Sequence, residues 1–224
     1  MAVYGGPEIA TSGLILCLDA GNTKSYAGSG ITWVDLSGSG YNGTLTNGPT
    51  FSSNNKGNIV FDGTNDYIQL PFNRPSPTTQ PTTYEIVFKN NSSTNAKYLI
   101  GASNYNISGF AVGLYGLSTI AITYFASGVN GESTHSYDSS VINHGIFNFD
   151  GRSVKIYRNS VLLHTSNKAF DATDFSSNIR IANFYQGGWT HGQIDVYFTR
   201  VYNRTLSVSE IKQNYNALKG RFGL

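Results

Sequence analysis

The feature that most constrains this chain is a two-residue alternation of apolar and polar side chains that recurs in short runs. In Thr83 to Lys89, Tyr84, Ile86 and Phe88 fall on one face, while Glu85 and Lys89 fall on the other. Successive side chains of an extended strand point to opposite faces, so this is the pattern of a half-buried strand. Further strands are expected at Leu14 to Asp19, Asn58 to Phe61, Tyr67 to Leu70, Tyr98 to Ala102, Phe110 to Leu114, Thr119 to Phe125 and Ile146 to Phe149. Val154 to Arg158, Val161 to His164, Ile179 to Ala182 and Val196 to Tyr202 complete the set. Turn residues separate nearly all of these runs. Asp150-Gly151 and Asn130-Gly131 suit tight turns because both dipeptides tolerate positive φ, and Asn159-Ser160 reads as a weaker hairpin tip. The number of short antiparallel strands predicts an all-β jelly-roll sandwich of two stacked antiparallel sheets.

At 224 residues, one such sandwich accounts for the whole length. Abundant Gly (25), Tyr (15) and Phe (13) beside only 12% charged residues favour strands over helices. The Pro-rich segment from Pro71 to Pro81 is expected to cross the surface between the two sheets. One short C-terminal helix stands out. Ser207 and Glu210 form a capping box, then Val208, Ile211, Tyr215 and Leu218 share a helical face, with Gly220 placed to end it. Residues 1–12, ahead of the first strand, read as an N-terminal arm that orders on a neighbouring subunit, and residues 13–224 as a single domain.

A formal charge of +2 with no run of Lys or Arg gives no footprint for nucleic acid. The N-terminus lacks a basic segment, and the apolar run Leu14 to Leu18 is too short for a signal peptide or a membrane span. Cys17, the one cysteine, sits in that run and reads as a small buried hydrophobe.

Several motifs stand in a familiar order. Gly13-Leu-Ile-Leu-Cys-Leu-Asp-Ala-Gly21, Trp33-Val-Asp-Leu-Ser-Gly38, Asn42-Gly-Thr-Leu45 and Phe61-Asp-Gly-Thr-Asn-Asp-Tyr-Ile68 resemble the concanavalin A-like lectin/glucanase superfamily in its LamG-like form. The later stretches Phe149 to Leu163 and Val201 to Ile211 resemble that family's hairpin and its closing strand and helix. This version of the domain is similar to proteins of tailed bacteriophages, notably those of cyanobacteria. The resemblance implies a virion component assembled in the host cytoplasm: a capsid decoration, cement or tail protein that binds neighbouring virion subunits or its own copies. Two departures stand out. Asn159-Ser160 replaces the family's usual Asn-Gly, and Tyr197 and Phe198 occupy the acidic positions of the closing strand, with Asp195 displaced.

Retaining glycoside hydrolysis needs two carboxyl groups about 5 Å apart on one face. Glu8, Glu85, Glu132 and Glu210 are each isolated in sequence, so no enzyme is expected and no catalytic residue is assigned. The histidines His135, His144, His164 and His191 lack zinc spacing. No motif requires a cofactor. Calcium is the metal that Asp62 and Asp66 would suit, as hard oxygen ligands on a sandwich rim, while the same Asp-Gly-Thr-Asn-Asp run also suits a tight turn. For glycan binding the suggestive segment is Phe184 to Gly192, from which Tyr185, Trp189 and His191 would project to stack on sugar, or Trp189 would instead cover the sandwich end. Two functions are therefore carried forward: a non-enzymatic virion structural protein, and a lectin-like adhesin for host surface polysaccharide.

Overall fold

The computed structural model describes residues 8–73, 80–92, 97–104, 108–115, 119–126, 129–150, 153–166, 178–184 and 191–224. In chain order the first strands are β1 Leu14–Asp19, β2 Thr32–Trp33, β3 Gly43–Thr46, β4 Thr50–Ser52, β5 Asn58–Val60, β6 Tyr67–Asn73, β7 Thr82–Asn90 and β8 Lys97–Asn104. They are followed by β9 Ser108–Tyr115, β10 Thr119–Ala126, β11 Val129–Ser136, β12 Asn143–Asp150, β13 Ser153–Arg158, β14 Val161–Ser166, β15 Asn178–Ile181, β16 Ile194–Tyr202 and helix α1 Val208–Phe222.

The strands form two antiparallel sheets, as the alternation requires. Sheet A has the order β14-β13-β12-β7-β16-β5-β4, with β1 also on β16, and sheet B the order β11-β10-β9-β8-β15-β6-β3-β2. Strand β16 serves two neighbours on one side: Asp195 and Val196 pair with β5, and Phe198 to Tyr202 with β1. The inner faces meet in one large core. Tyr84 and Phe149 of sheet A and Phe110 of sheet B form an aromatic cluster at its centre, with ring centroids 4.6 to 5.5 Å apart. Cys17 is buried, as expected, and Trp33 is fully buried too. Strand β6 belongs to sheet B and β7 to sheet A, so the Pro-rich segment does carry the chain between sheets.

Helix α1 begins at the expected capping box: the Glu210 amide donates to Ser207 Oγ, and the Ser207 amide to the Glu210 carboxylate. Its end and its buried stripe differ from expectation. Gly223, in the left-handed conformation, terminates it instead of Gly220, and the buried residues are Ile211, Asn214, Leu218 and Phe222. Val208 is exposed, while the polar Asn214, which sequence hydrophobicity does not mark, is fully buried.

That helix corrects the half-buried reading of β7. Its outer face is covered too: Glu85 is fully buried, and Asn214 Nδ2 reaches its carboxylate at 2.9 Å. The same asparagine accepts the Ala10 amide at 2.9 Å, Tyr202 OH donates to the Ala10 carbonyl, and Gln213 Nε2 donates to the Glu8 carbonyl. Residues 8–12 of the expected arm thus lie on the chain's own helix and sheet.

Four strands escaped the periodicity reading: β2, β3 and β4, which are very short, and β11. Asn130 and Gly131 are not a turn; they lie in β11 opposite Tyr124 and Thr123, since the ladder places the reversal between Phe125 and Val129. Asn159 and Ser160 do form a two-residue tip between the paired Arg158 and Val161, with φ of 47° and 66°. Serine therefore adopts the left-handed conformation that glycine would take at lower cost.

Candidate functional site

The two faces of sheet B have opposite character. In β6, Ile68 and Leu70 point into the core, which sends Tyr67 and Gln69 outward; in β15, Ile179 and Ile181 are buried, which sends Arg180 outward. The ladder then aligns Thr32, Thr44, Gln69 and Arg180 in one cross-strand row, continued by Gly101 and Ala111. Neither Thr32 nor Thr44 is covered.

Arg180 is held in a fixed orientation on this face. Its Nε donates to Gln69 Oε1 at 3.0 Å, and its guanidinium lies 4.6 Å from the Tyr67 ring centroid. Gln69 is itself fixed, since its Nε2 donates to the carbonyls of Leu70 and Ile179 at 3.1 and 3.4 Å. Tyr67 continues toward His191, with ring centroids 6.3 Å apart.

His191 does not project from its loop. It is buried, and its Nε2 lies 2.6 Å from Asn183 Nδ2. One residue outside that pair, the Gly192 amide donates to the Ala182 carbonyl at 2.7 Å, and the Ala182 amide donates to the Leu99 carbonyl at 2.9 Å. Ala182 adopts φ of 63°, a left-handed conformation costing roughly 1–2 kcal/mol for a residue with a Cβ. A side chain at Gly192 would meet the Tyr98 carbonyl at 2.6 Å. Two bonds therefore pinch the base of the segment that runs from Asn183 to His191. Tyr185 and Trp189 lie within that segment in sequence but outside the described residues. Phe184, at its start, packs on Tyr98 with centroids 4.2 Å apart and lies over Gly101 and Ala111 of sheet B.

The Asp62 and Asp66 carboxylates hold a turn. Asp62 Oδ1 accepts the amides of Thr64 and Asn65, and Asp66 Oδ2 accepts the Asp62 amide at 3.2 Å. Slight burial pushes the Asp62 pKa up, but those amides hold it below the ordinary value; burial, with the nearby Asp62 charge, raises that of Asp66. Calcium takes about six to eight oxygen ligands. One oxygen of each carboxylate is engaged by backbone amides, and the described residues hold no group of three acidic, His or Cys side chains that could gather a metal ion. The turn does abut the loop stem, for Gly63 packs against Gln193 so closely that a Cβ would lie 2.7 Å from the Gln193 Cβ. Two sites that the sequence kept apart thus share one end of the sandwich.

Glu85, isolated in sequence, is not isolated in space. His144 Nε2 is 2.8 Å from Oε1, and Arg200 Nη1 lies 3.3 and 3.4 Å from the two oxygens. Burial penalises its charge, but Arg200 and His144 hold the pKa below the ordinary carboxylate value. Sealed beneath α1, this cluster fastens the helix to sheet A.

A family profile matches residues 62–212, well over half of the chain, and its description is the concanavalin A-like lectin/glucanases superfamily. The chain belongs to that superfamily. Proteins of known structure share its fold across most of its length. The binding domain of botulinum neurotoxin DC in complex with SialylT superposes with a TM-score of 0.70 at 15% identity, over 93% of this chain and 52% of that one. Domain 4 of AbnA, a GH43 extracellular arabinanase from Geobacillus stearothermophilus in complex with arabinotriose, gives 0.68 at 16%, over 90% and 98%. A mutant of Trypanosoma rangeli sialidase displaying trans-sialidase activity gives 0.68 at 14%, over 96% and 34%. The chain spans about half of the neurotoxin binding domains it matches. No curated protein matches it. At these identities the likeness establishes the sandwich alone.

Within the superfamily fold, sequence reading found the turn and the loop but missed Tyr67, Gln69 and Arg180. Each is one outward residue of an ordinary alternating strand. The available signal was Arg180 itself, a guanidinium between two buried isoleucines.

Proposed function

We propose that this chain is a non-enzymatic carbohydrate-binding module whose ligand lies along the outer face of sheet B, between Arg180 and the stem formed by Asn183 and His191. The observation that carries the reading is the fixed Gln69, Arg180 and Tyr67 set running up to the His191 stem. It offers an aromatic ring for a sugar face, and guanidinium, amide and hydroxyl groups for sugar oxygens, already oriented before a ligand arrives. Two solved structures with this fold carry a glycan ligand or trans-sialidase activity in their own descriptions, which is consistent with this use of the fold. Catalysis is not part of the proposal: Glu85 is buried beneath α1, and Glu210 is tied to Arg204 at the start of that helix.

The test is a glycan array of bacterial surface polysaccharides, probed with and without calcium, followed by titration of any hit against Tyr67→Ala and Trp189→Ala. The proposal expects saturable binding weakened at least tenfold by each change, with no release of reducing ends. Absence of binding across the array, or hits indifferent to Tyr67, would sink it.

A second reading, a virion capsid-decoration or tail accessory protein, draws support from the resemblance of its motifs to phage proteins. A structural observation also favours it: Val161 and Leu162 are exposed on β14, an edge strand of sheet A. Unpaired edges and exposed apolar residues favour contact with a neighbouring subunit. Locating the chain in purified particles by electron microscopy, with β14 in contact, is the expected result; a particle free of it would remove this reading.

A further inference from the structure

We infer that the glycan recognised on sheet B is acidic, and that Arg180 receives its carboxylate. The inference rests on the carbohydrate-binding reading and adds the chemical class of the ligand.

Three other arginines among the described residues are each ion-paired with a carboxylate. Arg200 is paired with Glu85, Arg204 with Glu210, and Arg221 with Asp19 through two hydrogen bonds of 2.6 Å. Arg180 has no carboxylate among the described residues. Its one hydrogen bond uses Nε, and both terminal nitrogens are left as donors. The side chain is nevertheless held in place, by Gln69 on one edge and by the Tyr67 ring on one face. A guanidinium fixed in this way loses little rotamer freedom on binding, and its planar fork matches the two oxygens of a carboxylate in a bidentate pair. The strands of sheet B pair through their backbones, and the Gln69 amide nitrogen is satisfied by two carbonyls, so among the described residues the Arg180 guanidinium meets protein at the Gln69 oxygen and the Tyr67 ring.

The surroundings select a sugar acid over a free anion. Thr44 and Thr32 lie in the same cross-strand row, exposed and on strands leading away from Arg180, where their hydroxyls can meet the ring oxygens of adjoining residues. On the other side, Tyr67 leads to the His191 stem. A polymer with a carboxylate on each or every second residue would lie across β15, β6, β3 and β2, with one carboxylate on Arg180.

The experiment measures binding of hyaluronate, polygalacturonate, alginate and polysialate, each beside its carboxyl-reduced neutral derivative, to the full chain and to R180Q, R180K and Q69L. The expected result is that at least one acidic polymer binds, that reduction weakens it tenfold or more, and that R180Q weakens the acidic polymer by a similar factor and the reduced one by clearly less. R180K is expected to retain part of the preference, and added salt to lower it. Q69L, which frees Arg180 without removing charge, should lose more affinity for the acidic polymer than for the reduced one, so the inference stays testable if R180Q folds poorly. Equal binding of parent and reduced polymers, or an R180Q variant that binds as wild type, would overturn the inference and leave the carbohydrate-binding reading standing. Failure of every polymer, charged or neutral, would overturn both.

Discussion

Asn214 of helix α1 donates through Nδ2 to Glu85 Oε2 of β7 at 2.9 Å, joining residues 129 positions apart in the chain. The same side chain reaches Tyr202 OH and accepts the Ala10 amide, so one asparagine links the helix, the closing strand and the N-terminal segment to a buried carboxylate. Asn214→Ala leaves Glu85 with fewer donors and strands the Ala10 amide. A hydrogen bond to a buried charge contributes roughly 1.5–3 kcal/mol. Urea unfolding should show a loss of about 3 kcal/mol with an unchanged slope, and limited proteolysis should cut first before Leu14.

Acid should loosen the same region. The Arg204 guanidinium beside Glu210 holds its carboxyl at about 2, against an ordinary 4.5. A depressed carboxylate stabilises the fold fully above its unfolded pKa and loses that contribution as pH falls through the folded one. Thermal midpoints should therefore fall from pH 4.5 toward 2. Glu85, also held below its ordinary value, adds in the same direction. Glu210→Gln should be less stable than wild type at pH 7 and nearly equal to it at pH 2; equal pH slopes would refute the role given to this pair.

At the β13 to β14 hairpin, Ser160 holds φ of 66°. Ser160→Gly removes a steric cost of roughly 1–2 kcal/mol and is offset in part by greater freedom of the unfolded chain. A net gain of about 0.5–1 kcal/mol in chemical unfolding is expected, with ligand binding untouched, since the hairpin belongs to sheet A.

The loop stem gives a sharper test of the site. In Gly192→Ala the new methyl would meet the Tyr98 carbonyl at 2.6 Å, and neither backbone can yield without opening the Ala182 bond. The expected outcome is a modest drop in thermal midpoint together with at least a tenfold loss of glycan affinity. Unchanged affinity would separate the loop from the binding face.

How much of this was legible in the sequence depends on the range of the interaction. Local signals read well: the capping box at Ser207 and Glu210, the Asn159-Ser160 tip and the alternation of β7 are fixed by neighbours a few residues away. Pairing across the chain did not read. Nothing near Glu85 announces His144, Arg200 or Asn214, so its strand looked half exposed until α1 was placed over it. Asn130-Gly131 carried a turn signature, and ladder register against β10 overrode it. The candidate site failed for the same reason. Asp62, Asp66 and His191 drew notice as chemical groups, yet two hold a turn and the third a loop base, whereas Arg180, Gln69 and Tyr67 become a set only when β15 pairs with β6.

The central claim is that the outer face of sheet B binds an acidic glycan, and nuclear magnetic resonance tests it most directly. Titrating the isotope-labelled chain with the tightest-binding acidic polysaccharide fragment should shift the Arg180 Nε–H and Gln69 side-chain signals first, with Tyr67 and Thr44 following, while the Asn214 side chain stays still. Shifts confined to the β14 edge or the α1 surface, with Arg180 unmoved at saturation, would contradict it.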